Sequence, residues 1–310
     1  MKILITGVHG FVGSNLVNAL KAENEIYGLD IINPEKNGVT KTFSWDEFSL
    51  IPEVDAIIHL AGKAHDTKNE SKAEVYFKVN TELTKKIYDY FLNSSAKKFI
   101  FFSSVKAAAD RVEGEFVDEN VEPKPVGPYG ESKIKAEEYI RSLPPSSMDK
   151  DVYILRPCMI HGPGNKGNLN LLYGVVKKGI PWPLGAFENK RTFTSIDNLC
   201  YIIEGLLTKD VESGVYNIND DEAVSTNELI EIICEAMGKK AHIWRIPRAF
   251  MEAFAKLGGL LHLPLNPERL QKLTENYVSS NTKIKKALGI EKLPVRAKDG
   301  LIKTIQSFEG

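Results

Sequence analysis

Cysteine is scarce in this chain: Cys158, Cys200 and Cys234 are three among 310 residues, far apart and in apolar surroundings. That argues against a disulfide framework and for small core residues. The six histidines show no metal-ligand spacing, so no metal is expected. Long hydrophobic runs are missing too. The longest apolar patch late in the chain, Leu257 to Leu265, is too short to span a bilayer and contains His262 and Pro264. Nor is there an excess of one charge. A formal net charge of -1 gives no reason to expect nucleic acid or an anionic membrane as partner. The N-terminus runs straight into a strand with no secretory signal, so the expected compartment is the cytoplasm. Repeats and low-complexity segments are absent.

What remains is an ordinary globular composition, 43% hydrophobic and 26% charged, long enough for one large domain and a smaller lobe. Its organising stretch comes first. The β-branched run Ile3-Leu4-Ile5 predicts a buried strand, and Phe11, Leu16 and Leu20 near helical spacing predict a helix. Gly7, Gly10 and Gly13 lie between and within them. Such a turn lets backbone approach a pyrophosphate, while the helix start at Phe11 and Val12 offers free N–H groups and a positive dipole end. A second apolar run, Ile26 to Leu29, ends in Asp30, where a carboxylate can accept from the adenosine ribose hydroxyls. Ile31 and Ile32 follow with no basic residue, which predicts NAD over NADP because a carboxylate repels a 2′-phosphate.

Further strands are expected near Val39–Phe43, at Asp55–Leu60, at Lys98–Phe102 and at Val152–Leu155. The third is so continuously apolar that it reads as a central parallel strand covered on both faces. Between them, Val75, Val79, Leu83, Ile87 and Phe91 predict a helix over about Ser71–Asn93. Asn80 falls off that stripe, which reads plainly as a surface position. Another helix is expected over Tyr129–Arg141. The alternation predicts an α/β fold, a doubly wound parallel sheet with helices on both faces. Beyond about residue 160 the pattern loosens. The loop 162–168 is polar, and Ser225 or Thr226 caps a helix to about Met237.

Tyr129-Gly130-Glu131-Ser132-Lys133 places a phenol and an ammonium four apart, on one helix face. A free tyrosine, with a pKa near 10, is a poor base; an adjacent cation stabilises its phenolate. Ser104 stands at the C-terminal end of a predicted central strand, where ligands bind in open α/β sheets.

Glycine turn, ribose acid, strand-end serine and Y-x-x-x-K occur in the order of the extended short-chain dehydrogenase/reductases. The chain resembles their NAD-dependent epimerase/dehydratase family over essentially its whole length, nearest the nucleotide-sugar 4-epimerases of UDP-glucose type. The resemblance implies a Rossmann-like sheet, NAD as cofactor, and Ser104, Tyr129 and Lys133 as catalytic residues. It adds Leu60, Ala61 and Gly62 as a small-residue turn against the cofactor, with Ser103 and Pro157 beside it. It also makes Asn80 a support of the active-site strands. Asn189 to Leu199 looks like the family's R-x-F-x-x-x-x-D-N segment, so Arg191 would clamp the diphosphate, a job suited to a forked guanidinium. Arg269 and Asn168 are further substrate candidates. Residues 1–160 are then the NAD-binding domain, joined by chain returning from later, and 161–310 a smaller, mostly C-terminal α/β lobe for the nucleotide sugar. A homodimer is implied as well.

Departures from the pattern narrow the reaction. Where related 4,6-dehydratases carry an Asp-Glu pair after the serine, this chain has Val105 and Lys106, which removes the groups needed to eliminate water. Ala107-Ala108-Ala109 replaces V-Y-G, and His161-Gly162-Pro163 replaces Y-G-P. The expected reaction is NAD-dependent epimerisation at carbon 4 of a UDP-hexose or UDP-N-acetylhexosamine. Reduction of a 4-keto nucleotide sugar is the alternative, and a non-catalytic dinucleotide sensor ranks below both.

Overall fold

A computed structural model describes residues 1–64, 72–165, 167–261 and 265–308. Ser71 at the expected helix start, Lys166 of the polar loop, and His262 and Pro264 of the apolar patch lie outside them. In chain order the strands are β1 (Lys2–Thr6), β2 (Glu25–Leu29), β3 (Lys41–Phe43), β4 (Ala56–His59), β5 (Lys98–Phe102), β6 (Asp151–Pro157), β7 (Met159–His161), β8 (Phe193–Ser195) and β9 (Gly214–Ile218). The helices of the first half are α1 (Phe11–Leu20), α2 (Ala73–Tyr76), α3 (Leu83–Asn93), α4 (Val105–Ala108) and α5 (Gly127–Ser142). Those of the second half are α6 (Asn168–Lys177), α7 (Ile196–Thr208), α8 (Thr226–Ala236), α9 (Arg248–Leu260), α10 (Pro267–Thr274), α11 (Thr282–Leu288) and α12 (Ala297–Gln306).

Seven strands form one sheet in the order β3-β2-β1-β4-β5-β6-β9, with every neighbouring pair parallel. This is a Rossmann-like doubly wound sheet. Strand alternation divides its apolar residues between two cores. Ile3 and Ile5 of β1, with Ile100 and Phe102 of β5, pack under Leu16 and Val17 of α1 and Ile202, Ile203 and Leu206 of α7. Leu4, Phe99 and Phe101 face the other way, against Ile87, Tyr88 and Phe91 of α3 and Ala136 and Ile140 of α5. Each such fully buried Leu or Phe contributes roughly 1.5–3 kcal/mol. Late chain thus returns to the sheet as α7, β9 and α11. A third core gathers Phe193 of β8 with residues of α6, α8, α9, α10 and α12. Ser225 caps α8 as expected, in a reciprocal pair with Glu228.

The expected stripe over residues 75–91 holds only in its second half. Ile87 and Phe91 are buried, but Val75 is exposed, and Tyr76, Asn80, Thr81 and Thr84 face inward instead. The cause is a π-helical turn, Phe77–Glu82, between α2 and α3. One extra residue per turn rotates the face, so a uniform 3.6-residue period misassigns what precedes it. Asn80, read as a surface position, is completely buried.

The same turn anchors a hydrogen-bonded chain through the sheet. Thr84 Oγ1 donates to the Asn80 carbonyl (2.7 Å), so it accepts from His59 Nε2–H (3.0 Å). His59 Nδ1 then accepts from Thr6 Oγ1 (2.7 Å), which itself accepts from the Ala61 amide (3.0 Å). This direction requires a neutral imidazole. Burial, with Lys133 adding to it, lowers the His59 pKa to about 3. Below about pH 6.5 the unfolded chain binds a proton that the folded chain refuses until about pH 3, so stability falls with acid through that window, by up to roughly 5 kcal/mol. His59→Gln should flatten that limb in pH-dependent denaturant melts. Identical acid limbs for the two proteins would contradict the assignment.

Candidate active site

The order of strands reverses between β1 and β4, which opens a crevice at their C-terminal ends, the usual ligand position in such sheets. The glycine turn lines it. Gly7 has φ of +70°, and a Cβ there would stand 3.0 Å from the Ala61 amide nitrogen. A Cβ on Gly13 would overlap the Gly7 carbonyl. The turn and the Leu60-Ala61-Gly62 segment therefore press together backbone to backbone. Gly10 caps α1 without a side-chain bond, and no acidic residue occupies the first turn. The first turn of α1, from Phe11 to Gly13, is thus left without a capping side chain or a carboxylate, as an anion at a helix start requires. The Phe11 ring lies against the later loop at Gly162 and Gly164, and Asn15 Nδ2 donates to the Pro163 carbonyl (3.2 Å).

Asp30 follows β2 and is held by two amides, from His9 to Oδ2 (2.9 Å) and from Ile31 to Oδ1 (2.7 Å). Its carboxylate is fixed beside the glycine turn. Lys36, six residues on, folds back and donates to Ser14 Oγ (2.9 Å). This cation was not legible, since a loop brings it there. Tight turn, open helix start and oriented acid together suit a dinucleotide.

The chemistry-bearing residues converge beyond β5. Ser104 caps α4, accepting at Oγ from the Lys106 amide (3.2 Å), and it also shares a hydrogen bond with the Tyr129 hydroxyl. Gly130 permits this closeness, because a Cβ there would meet the Lys106 carbonyl at 2.6 Å. Burial pushes the Tyr129 phenol above its ordinary value, while the Ser104 hydrogen bond pulls it down. One turn on, Lys133 Nζ donates to the Phe102 carbonyl (2.8 Å) and lies 3.2 Å from where a Gly62 Cβ would be. Burial lowers Lys133 to about 8, against the opposing pull of Glu137.

Glu137, another turn along the same face, carries a network that sequence reading did not assign. It accepts from Ser103 Oγ (2.5 Å) and binds Arg156 through Nε (3.0 Å) and Nη2 (2.6 Å). Both charged side chains are buried, at 0% and 2% exposure. Arg156 leads directly into Pro157. Asn80, from the π-helical turn, accepts from the Lys63 amide (2.7 Å) and donates to Ser132 Oγ (3.0 Å), which donates to the Tyr129 carbonyl (2.8 Å). Thr81 Oγ1 donates to the Ser132 carbonyl (2.8 Å). The π-helical turn thereby holds the helix that presents Tyr129 and Lys133. An unpaired polar residue within an apolar pattern was the available signal.

The proposed substrate residues are placed unevenly. Arg191 Nη1 donates to the Lys272 carbonyl of α10 (2.8 Å), and Arg269 stands one turn earlier on that helix, so the two arginines share a neighbourhood. Next to Arg191, Thr192 Oγ1 lies 3.1 Å from Cys158 Sγ, just past Pro157. Tyr277 donates to the Ala109 carbonyl (2.7 Å) beneath Lys106 Nζ, 4.6 Å from its ring. Asn168 opens α6 and is exposed; no contact among the described residues ties it to this group. No cluster of three or more His, Cys, Asp or Glu suited to a metal occurs among the described residues.

Comparison with known proteins agrees with this geometry. Residues 3–219 match the NAD dependent epimerase/dehydratase family. The UDP-glucose 4-epimerase of Vibrio cholerae is 30% identical, covering 99% of this chain and 95% of that one. An epimerase of Escherichia coli O157:H7, named N-acetyl-alpha-D-glucosaminyl-diphospho-ditrans,octacis-undecaprenol 4-epimerase, is 27% identical over 92% of this chain and 84% of its own. The crystal structure of Thermus thermophilus UDP-glucose 4-epimerase with NAD superposes with a TM-score of 0.75, at 23% identity over 100% of this chain and 99% of that one. With a dinucleotide cradle, a Ser-Tyr-Lys group at the strand ends and these relatives in hand, the chain belongs to the NAD dependent epimerase/dehydratase family and is an NAD-dependent enzyme.

Proposed function

We propose that this enzyme inverts carbon 4 of a nucleotide-activated sugar, a UDP-hexose or UDP-N-acetylhexosamine, through a 4-keto intermediate. The observation that carries this is the Ser104–Tyr129 hydrogen bond with Lys133 one turn behind it and Val105 and Lys106 where an elimination would need acids. Tyr129, as phenolate, takes the proton of the 4-hydroxyl. Ser104 holds that oxygen as it becomes a carbonyl, and the Lys133 ammonium stabilises the phenolate. NAD, when bound, would supply first the acceptor and then the donor of the carbon-4 hydride. The keto sugar turns over between these two events, and Tyr129 returns the proton on the other face. Gly7, Gly10, Gly13 and Asp30 hold the cofactor. Residues 1–160, with the later elements that rejoin the sheet, form its domain, and the cluster of β8 with α6, α8, α9, α10 and α12 forms the sugar lobe.

Arg191 and Arg269 are the diphosphate contacts in this reading. Arg191→Ala should weaken nucleotide-sugar binding by about 1.5–3 kcal/mol, the worth of a charged hydrogen bond, and leave retained dinucleotide unchanged. Substrate affinity equal to wild type would remove Arg191 from the site. The reaction itself is tested by mixing the purified protein, with no cofactor added, with UDP-hexoses and their N-acetyl forms. Interconversion of 4-epimers is expected. Stoichiometric NADH consumption in a second arm, supplied with NADH and a 4-keto nucleotide sugar, with no epimer in the first arm, would instead establish the reductase.

A further inference from the structure

Helix α9 shows an apolar face that the third core does not use. Met251, Ala255 and Gly258 are its buried residues. Phe250, Phe254, Leu257 and Leu261, at steps of four, three and four, make a second stripe on another side, and Leu260 flanks it. All five are 46–77% exposed, as is Trp244 just before the helix at 56%. A soluble monomer rarely leaves such a contiguous apolar surface without a partner.

Charge identifies the partner. Leaving aside Arg269, which belongs to the substrate side, the segment 239–272 holds six Lys and Arg against Glu252 and Glu268, although the whole chain carries only -1. Glu268 is already paired with Lys272 (2.6 Å). Along the same segment, Lys239, Lys240 and His242 line a cleft with Lys177 and Lys178, and no Asp or Glu is among its lining residues. Trp182, which lines the cleft, pairs with Ile243, and Leu184 pairs with Arg245, so the cleft adjoins the segment that carries Trp244 and Arg245 into α9. A second copy of this chain is the poorer partner, because a twofold contact would set one strongly basic patch against another. A nucleic acid would match the lysines and leave the Phe and Leu stripe uncovered.

We propose that α9 and the basic edge beside it dock this enzyme on an anionic phospholipid bilayer. The helix lies in the interface plane, since no helix among the described residues is long and apolar enough to cross a membrane. Its Phe and Leu stripe enters the headgroup boundary, Trp244 sits at that level, and the lysines and arginines meet lipid phosphates. This goes beyond the carbon-4 reaction and does not depend on it.

Sedimentation with unilamellar vesicles tests the proposal, without any sugar present. The intact protein should pellet with phosphatidylcholine vesicles containing about 30% phosphatidylglycerol, stay in solution with phosphatidylcholine alone, and be released by salt. Phe254→Glu with Leu257→Glu, and separately Lys239→Glu with Lys240→Glu, should each weaken binding at least about tenfold while keeping the melting temperature and bound dinucleotide. Wild-type protein that remains in solution with anionic vesicles would overturn the proposal, as would undiminished binding by both double variants. A concentration-dependent dimer in light scattering that Phe254→Glu abolishes would assign the face to a second copy instead. None of these results bears on epimer formation, so the two readings stand or fall apart.

Discussion

Tyr129→Phe is expected to lower turnover by about 10²–10⁴-fold with little change in folding or NAD binding, because it removes one oxygen and no packing. In the proposed reaction that oxygen, hydrogen-bonded to Ser104, exchanges the proton of the sugar hydroxyl. In the free protein, burial raises the phenol, so the base form depends on what surrounds it: the Ser104 hydrogen bond, the Lys133 ammonium and the positive ring of the bound cofactor. The Phe ring keeps the edge-on contact that Tyr129 makes with Tyr76 at 6.2 Å between centroids. Dinucleotide retention and thermal melts should therefore match wild type while epimer formation fails. A Phe variant with normal turnover would mean that another residue is the base.

Glu137→Leu should be the most destabilising single change near the site, by about 3–5 kcal/mol. It strands the buried Arg156 guanidinium, whose Nη1 already lacks a partner among the described groups, and it deprives Ser103 of its acceptor. In a chain of this size that corresponds to a fall in melting temperature of roughly 5–8 °C. Glu137→Leu combined with Arg156→Met should recover much of the loss, since no charge is then left unpaired. A single variant within about 1 kcal/mol of wild type would show that the pair has little net worth. Glu137→Gln separates the electrostatic role. The carboxylate opposes the lowering of Lys133, so its neutral isostere should drop Lys133 further below about 8 and shift the pH–rate profile near neutral pH. This comes in addition to the stability lost when Arg156 keeps its charge without a counter-charge. Equal pH–rate profiles for the Glu137→Gln variant and the wild-type protein would confine Glu137 to a structural role.

Much of the site was legible because its logic is local. The turn of Gly7, Gly10 and Gly13, the acid at Asp30, and the four-residue spacing of Tyr129 and Lys133 each act within one strand–helix junction or one helical turn. The Ser225–Glu228 cap is likewise a three-residue device. The apolar runs that became β1, β4, β5 and β6 announced a parallel sheet covered on both faces.

Other features depend on groups that meet only when the strands take their order. Glu137 and Arg156 meet only when β6 is laid beside α5, and Thr6, His59 and Thr84 join through elements far apart in sequence. Asn80 was misread as exposed because a π-helical turn breaks the period from which faces are inferred. A sum of charge over the chain likewise conceals the basic, apolar segment at 239–272. Short-range pattern therefore settles elements, turns and the catalytic spacing, because backbone geometry acts over a few residues. Which buried charges are paired, which face of a helix is covered and where like charges collect are fixed by contacts between distant segments, and those exist only in the folded chain.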